Sequence, residues 1–134
     1  MPVDHPVTGR CLCGRVTLIV ERFHRDVVYC HCSQCRRQTG HCYAAAAALD
    51  EHLAITDDDA LSWYAASGTA KRGFCRHCGS ALFWKAEGSA STSVLAGCLD
   101  APTGLVATAH IFVADKGDYH DIADGLPTYP AADG

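Results

Sequence analysis

The sequence has no run of apolar residues long enough to cross a membrane. No window of its 134 residues approaches the roughly 18 to 20 consecutive apolar residues that a spanning helix needs. The first ten residues, MPVDHPVTGR, also lack a basic segment followed by an apolar one, which a secretory signal requires. We therefore expect no membrane partner and a cytoplasmic location.

An excess of positive charge is missing as well. The formal net charge is −4, which disfavours sequence-independent binding to nucleic acid, and we expect no such partner. Hydrophobic residues make up 49% of the chain, as is typical of folded globular proteins. The length suits one domain, and we predict a single domain over residues 1–134.

Long helices are not indicated, because no segment keeps a 3.6-residue apolar period for more than two turns. Short apolar stretches separated by Gly, Asp and Ser instead predict a mainly β fold. The predicted strands are Arg15–Val20, Ala44–Leu49, Leu61–Tyr64, Ala70–Phe74, Ala81–Trp84, Ser93–Cys98 and Thr108–Val113.

Three segments need a separate interpretation. The stretch YAAAAALD is ambiguous, since alanine favours helix, but we prefer a strand of small residues packed close under neighbouring backbone. The acidic segment Asp50–Asp59 is expected to be a surface loop or turn. The C-terminal DYHDIADGLPTYPAADG is expected to form one helical turn and then an extended end.

The sequence is rich in cysteine, with nine such residues. An odd count without an export signal argues against an extracellular disulfide framework, and closely spaced cysteines in a reducing compartment more often bind metal or react. Seven of them fall in the stretches GRCLCG, CHCSQC and FCRHCG. Cys42 and Cys98 stand alone and are expected to be small buried hydrophobic residues.

The spacing of the seven clustered cysteines indicates zinc, which binds thiolates in tetrahedral sets delivered by short Cys-x-Cys and Cys-x-x-Cys turns. Gly14 and Gly79 follow the two outer pairs and suit the tight backbone turn beside a metal. These pairs combine into one closed set, the four-cysteine cluster: Cys11, Cys13, Cys75 and Cys78.

Three thiols remain, the three-cysteine cluster: Cys30, Cys32 and Cys35. Three protein ligands with an open fourth position are typical of a catalytic zinc. Two alternatives stay open. Two of these three thiols could join one outer pair, or His41 or Cys42 could close the second site as a fourth ligand.

Four stretches in a fixed order carry a family resemblance: GRCLCGRV, CHCSQCRRQTG, SGTAKRGFCRHCGSALF and HIFVADKGDYHDIADGLPTY. Together they resemble the glutathione-dependent formaldehyde-activating (GFA) family, from about Gly9 to Tyr129. The resemblance implies an Mss4-like β-tent, in which antiparallel sheets are clamped by zinc. It also implies two Zn²⁺ ions per chain, a structural ion on the four-cysteine cluster and a catalytic-type ion on the three-cysteine cluster.

The reaction that names this family condenses formaldehyde with glutathione to S-hydroxymethylglutathione, and its reverse is a carbon–sulfur lyase reaction. The resemblance therefore implies an enzyme whose partners are a small aldehyde and a thiol, with glutathione as co-substrate. Two alternatives are a glutathione or thiol carrier without turnover and a zinc-stabilised interaction module in which both metals are structural. Exposed sheet edges would permit a homodimer.

Cations near the three-cysteine cluster are candidates for glutathione binding, because glutathione carries two carboxylates. Arg36 and Arg37 directly follow this cluster, and the planar fork of arginine suits a carboxylate. They could instead be solvated surface charges or hydrogen-bond the thiolates. Lys71, Arg72 and Arg76 flank the last cysteine pair and are weaker candidates, and the same two alternatives apply to them.

Histidines and aromatic residues complete the set of expectations. His31 lies between two ligands and is expected to point outward, whereas His110 is expected to be a core or supporting residue rather than a catalytic one. Phe74, Phe83 and Trp84 are interpreted as core aromatics.

Overall fold

The computed structural model describes residues 5–132. In that range the chain forms one α-helix and ten strands: β1 (Val7–Arg10), β2 (Val16–Val20), β3 (Arg25–Cys30), α1 (Ser33–Thr39), β4 (Tyr43–Leu49), β5 (Leu53–Asp57), β6 (Leu61–Ala65), β7 (Ala70–Cys75), β8 (Ala81–Ala86), β9 (Ser91–Leu95) and β10 (Ala107–Ile111). Short 3-10 turns occupy Asp50–His52, Ala96–Cys98 and Val113–Asp115. Among the described residues, no helix has the length and hydropathy needed to cross a bilayer.

The strands form two sheets, with the orders β1-β2-β5 and β10-β3-β4-β9-β8-β7-β6. The main core contains side chains from both sheets, among them Val16 and Leu18 of the smaller and Leu82 and Phe83 of the larger. The predicted mainly β fold is confirmed. The sheets are antiparallel except where β10 runs parallel to β3.

The alanine-rich stretch is a strand, as predicted. Strand β4 pairs with β3 on one side and β9 on the other, and Ala45, Ala46 and Ala48 are each 0% exposed. Packing on both edges and both faces outweighs the helix propensity of alanine, since small side chains let neighbouring backbone approach closely.

The seven predicted strands are all present, with ends shifted by a few residues. The last two end early, because Ala96–Cys98 and Val113–Asp115 turn as 3-10 helix. Strands β1, β3 and β5 were not predicted. The loop expected over Asp50–Asp59 is wrong for its centre, where β5 pairs antiparallel with β2.

The helical turn expected near the C-terminus is also wrong, because residues 118–132 contain no helix. This segment instead runs along β10, where the amide of His110 donates to the carbonyl of Pro127 and the amide of Tyr129 donates to the carbonyl of His110, each over 2.9 Å. The expected extended end is therefore confirmed for the part that runs along β10, residues 127–129. Residues 133 and 134 lie outside the described range.

Candidate metal centres and active site

The four-cysteine cluster has the geometry of a tetrahedral thiolate site. All four Sγ atoms lie within 4.8 Å of one another, with Cys11–Cys13 at 3.6 Å and Cys13–Cys75 at 3.7 Å. At a Zn–S length of about 2.3 Å, sulfurs at the corners of a tetrahedron lie roughly 3.8 Å apart. The donor set and its spacing therefore fit a zinc ion.

Two hairpin turns from different sheets bring these sulfurs together. One pair lies at the β1–β2 turn, and the other at the β7–β8 turn. Gly14 and Gly79 have φ angles of 82° and 79°, which an L side chain rarely adopts, so each turn closes tightly beside its cysteine pair. A bond of 2.9 Å from the amide of Leu12 to Ser80 Oγ ties the two turns together.

Hydrogen bonds to sulfur support the same cluster. The amide of Val16 donates to Cys11 Sγ over 3.3 Å, and Ser80 Oγ lies 3.2 Å from Cys78 Sγ. Such donors orient and stabilise thiolates around a metal. A zinc ion held there would join the smaller sheet to the larger one.

The three-cysteine cluster lies at the junction of β3 and α1. Cys30 ends β3, Cys32 is the N-cap of α1, and Cys35 is in the first turn of the helix, with its amide donating to Cys32 Sγ over 3.4 Å. This helix, which spans Ser33–Thr39 and ends at Gly40, was not predicted from the sequence. The three Sγ atoms lie within 4.8 Å of one another.

The structure brings the seven clustered cysteines together as four plus three. Within residues 5–132, no fourth His, Cys, Asp or Glu joins the three-cysteine cluster. The His41 imidazole instead meets the Tyr119 hydroxyl, with 2.7 Å between Nδ1 and Oη. The donor set therefore fits zinc with three protein ligands.

A cavity of about 490 Å³ opens onto the three-cysteine cluster. Cys30 and Cys35 are buried, whereas Cys32 is half-buried. The walls include the side chains of Arg25, Tyr43, Arg72, Trp84, Phe112 and Asp115. A second cavity, of about 580 Å³, is lined by Cys42, Cys98 and one member of the four-cysteine cluster, Cys11. We take the first as the candidate active site, because all three sulfurs of a cluster line it.

The two isolated cysteines are half-buried. Burial raises the pKa of both thiols, in Cys98 to about 12. They are therefore neutral thiols at physiological pH, in keeping with the expected hydrophobic role. Of the three aromatics expected in the core, Phe83 is fully buried, whereas Phe74 and Trp84 are half-buried.

Arg36 and Arg37 both lie on α1, but neither lines the cavity at the three-cysteine cluster. Arg36 donates from Nε to the carbonyl of Asp115 over 2.8 Å, and Arg37 is exposed. Lys71 is exposed, with its Nζ 4.5 Å from the centre of the Trp63 ring. Glutathione binding by Arg36 and Arg37 stays a prediction.

Arg72 is buried, which the sequence did not predict, although a hydrogen bond from it to a thiolate was one of the alternatives. Its side chain is buried, lines the cavity and donates from Nη2 to Cys35 Sγ over 3.5 Å. The neighbouring Arg76 is exposed and pairs with Asp59 at 3.1 Å. The alternation along β7 could have suggested that Lys71 and Arg72 face opposite sides, but a buried arginine is rare enough to be missed.

The outward orientation expected for His31 is wrong. Its side chain is buried, and its Nε2 lies 2.7 Å from Nδ1 of His110, whose Nε2 lies 2.8 Å from the Asp124 carboxylate. Burial, reinforced by the charges of His110, His120, His41 and Lys116, lowers the pKa of His31 to about 4. His31 is therefore neutral at physiological pH, and His110 is buried as expected.

Known proteins resemble this chain in sequence and in fold. The family profile described as glutathione-dependent formaldehyde-activating enzyme matches residues 6–115. An uncharacterised lyase of Schizosaccharomyces pombe is 25% identical over 117 residues, which cover 87% of this chain and 85% of the relative. The crystal structure of a Rhodobacter sphaeroides protein, a structural-genomics target, is 28% identical with a TM-score of 0.62, covering 75% of this chain and 97% of the other. The chain therefore belongs to the glutathione-dependent formaldehyde-activating enzyme family.

Proposed function

We propose that this protein is a zinc-dependent carbon–sulfur lyase or synthase that acts on a glutathione adduct, or another thiol adduct, of formaldehyde or a similar small aldehyde. The observation that carries the proposal is a set of three cysteine sulfurs, without a fourth protein ligand in residues 5–132, on a cavity of about 490 Å³. The family description and the lyase name of the yeast relative support it.

The proposed reaction balances without a further reactant. The thiol sulfur bonds to the aldehyde carbon, the C=O double bond becomes a single bond, and the thiol proton ends on that oxygen. A zinc ion held by the three-cysteine cluster would lower the pKa of a thiol bound to it, so that the thiol would be deprotonated at neutral pH.

The protein's own side chains bind and shield the reactants. Tyr43, Trp84 and Phe112 give the cavity aromatic walls, against which the apolar part of a thiol adduct can pack. Ser33, Ser67 and Thr69 add hydroxyl groups that can accept or donate hydrogen bonds to the adduct.

The carboxylates of glutathione require cations near this cavity. Arg25 lines the cavity itself, although its Nη1 already donates to the carbonyls of Asp26 and Ala45. Arg36 and Arg37 lie on the helix that carries Cys35. We assign the glutathione carboxylates to this group of arginines, since a guanidinium binds a carboxylate with two parallel hydrogen bonds.

The test is an exchange measurement by NMR on formaldehyde, glutathione and their adduct at equilibrium. Catalytic amounts of the zinc-loaded protein should accelerate exchange, and Cys35→Ser should abolish the acceleration while keeping the fold. Cys98→Ser, which alters a thiol outside both clusters, serves as the matched control and should behave as the wild type. Glutathione binding without accelerated exchange would identify a thiol carrier, and the lyase proposal would then be wrong.

A further inference from the structure

Arg72 is a buried cation without a carboxylate partner. Its side chain is 5% exposed, and the ion pairs within residues 5–132 do not include it. A buried charge is strongly destabilising unless an opposite charge compensates it. Arg72 hydrogen-bonds two neutral amides and one sulfur atom. Among these partners, only the sulfur of Cys35 becomes negatively charged when it binds a metal.

The guanidinium is held firmly against that sulfur. Nε and Nη2 both donate to Gln34 Oε1 over 3.3 Å, Nη1 donates to Gln38 Oε1 over 3.0 Å, and Nη2 donates to Cys35 Sγ over 3.5 Å. The Gln34 amide is oriented in turn by its own bond of 3.2 Å to the carbonyl of Ala66. These contacts connect β7 to the helix that carries Cys35.

The hydrogen-bond count distinguishes a supporting group from a substrate receptor. A guanidinium has five N–H donors, and four of those of Arg72 already make hydrogen bonds, so one N–H of Nη1 remains. A carboxylate is bound in bidentate fashion by two parallel donors, which Arg72 does not have left. Its role is therefore directed at the cluster and not at the carboxylates of a substrate.

The charges of the cluster provide the physical reason. Three thiolates around a divalent ion leave a net charge of −1, and two of the three cysteines, Cys30 and Cys35, are buried. One adjacent guanidinium brings the sum to zero, and a fixed charge of opposite sign is worth more in a partly buried site than at the surface. Arg72 also lies 5.8 Å from the centre of the Tyr43 ring, which lines the same cavity.

We propose that Arg72 is the positioning residue of the three-cysteine cluster: its clamped guanidinium supplies the counter-charge that keeps the metal bound there. The inference concerns the site of the proposed function, but it requires only metal binding and not turnover. Outer partners of metal ligands typically change metal affinity by about 10- to 100-fold when they are replaced.

The test measures zinc retention by the purified zinc-loaded protein against increasing EDTA. The wild type should release zinc in two steps, the first of which is absent from Cys35→Ser and therefore belongs to the three-cysteine cluster. Arg72→Gln should lower the zinc affinity measured in this first step by about 10- to 100-fold and leave the affinity measured in the second step unchanged. Arg72→Lys keeps the positive charge but loses the planar guanidinium, so its zinc affinity should lie between those of the wild type and Arg72→Gln.

Two further variants make the result decisive. Lys71→Gln removes the neighbouring exposed cation on the same strand and should leave both steps at their wild-type values. Gln34→Ala removes the hydrogen bonds that hold the Arg72 guanidinium but keeps its charge. It should lower the zinc affinity of the first step less than Arg72→Gln does. Gln34→Ala also tests the inference if Arg72→Gln does not fold.

An unchanged first step in Arg72→Gln, or in Gln34→Ala if the former does not fold, would overturn the inference. Equal weakening of both steps would also overturn it, because Arg72 would then support the fold in general. Neither result depends on the exchange assay. The proposed function can therefore fail while the role of Arg72 stands, and the reverse also holds.

Discussion

The Sγ atoms of Cys13 and Cys75 lie 3.7 Å apart, although 62 positions separate the two residues in the sequence. Each belongs to a hairpin turn, and the two hairpins are parts of different sheets. The four-cysteine cluster is therefore a connection between the sheets, and a metal bound there acts on the whole fold.

The first prediction concerns Cys75→Ser, which removes one ligand of this connection. Structural zinc binds with about 10–16 kcal/mol in small peptides, whereas a domain has only about 5–15 kcal/mol of net stability. We expect the variant to be largely unfolded at 25 °C, as measured by circular dichroism and zinc content. Cys98→Ser is the control and should remain folded with both metals. A folded Cys75→Ser protein with one zinc would contradict the structural role.

A second prediction concerns the C-terminal segment, which is attached to β10 beside Asp124. The hydrogen bond from His110 lowers the pKa of Asp124 and joins this carboxylate to a buried imidazole that also contacts His31. Asp124→Asn should therefore loosen the segment. Hydrogen exchange at the amide of Tyr129, which donates to the carbonyl of His110, should become faster. Asp121→Asn changes a nearby exposed carboxylate and should not alter this exchange; equal rates in both variants would count against the attachment.

Sequence reasoning predicted which cysteines lie together, because short Cys-x-Cys and Cys-x-x-Cys spacings place sulfurs on one turn and the family resemblance indicated which turns combine. The positive φ angles of Gly14 and Gly79 agree with the turns expected beside those pairs. The alanine strand was also predicted from its small side chains. The turns beside the cysteine pairs and the alanine strand could be predicted because each depends on a local pattern.

Contacts between distant segments were harder to predict. Strand β3 begins with charged residues, which do not indicate a strand. It pairs in parallel with β10, about 80 residues later, so no hairpin pattern in the sequence predicts this pairing. Arg72 was a weaker candidate for glutathione binding, with a solvated surface charge or a hydrogen bond to a thiolate as alternatives, and its burial was not predicted because arginine is seldom buried. Its burial depends on Gln34, Gln38 and Cys35, which reach it only when α1 packs against β7.

The third prediction concerns the arginines that follow the three-cysteine cluster. If Arg36 and Arg37 bind the glutathione carboxylates, Arg36→Gln and Arg37→Gln should each raise KM for glutathione and leave kcat unchanged. The expected increase is roughly two- to fivefold, the value of an ion pair near the surface. Arg15→Gln, which removes a cation paired with Asp58 in a different hairpin, should leave KM as it is. Steady-state kinetics at varied glutathione would show whether the assignment to these two arginines is wrong.

The fourth prediction concerns pH and stability. Partial burial opposes ionisation of Asp50, but the hydrogen bonds from Lys85 and Thr92 outweigh it and lower the pKa of Asp50 below its ordinary value of 3.8. The folded state therefore favours the carboxylate, and this contribution to stability is present above pH 3.8 and is lost as pH falls through the lowered pKa.

The measurement for this prediction is urea denaturation of the wild type and Asp50→Asn between neutral and acidic pH. The wild type should be the more stable protein near neutrality, and the difference should vanish in acid. The comparison is made at pH values where both proteins remain folded with the same zinc content, so that the difference between them isolates Asp50. A difference that stays constant across the range would show that the carboxylate charge makes no contribution.

The central claim is that the three-cysteine cluster holds a zinc ion with a position open to a substrate thiol. The most direct test is a crystal structure of the zinc-loaded protein soaked with glutathione. We predict a zinc ion on each cluster and the glutathione sulfur in the cavity, completing the ligands of the ion held by Cys30, Cys32 and Cys35. A fourth protein ligand on that ion, from His41, Cys42 or any other side chain, with glutathione absent from the cavity, would contradict the account.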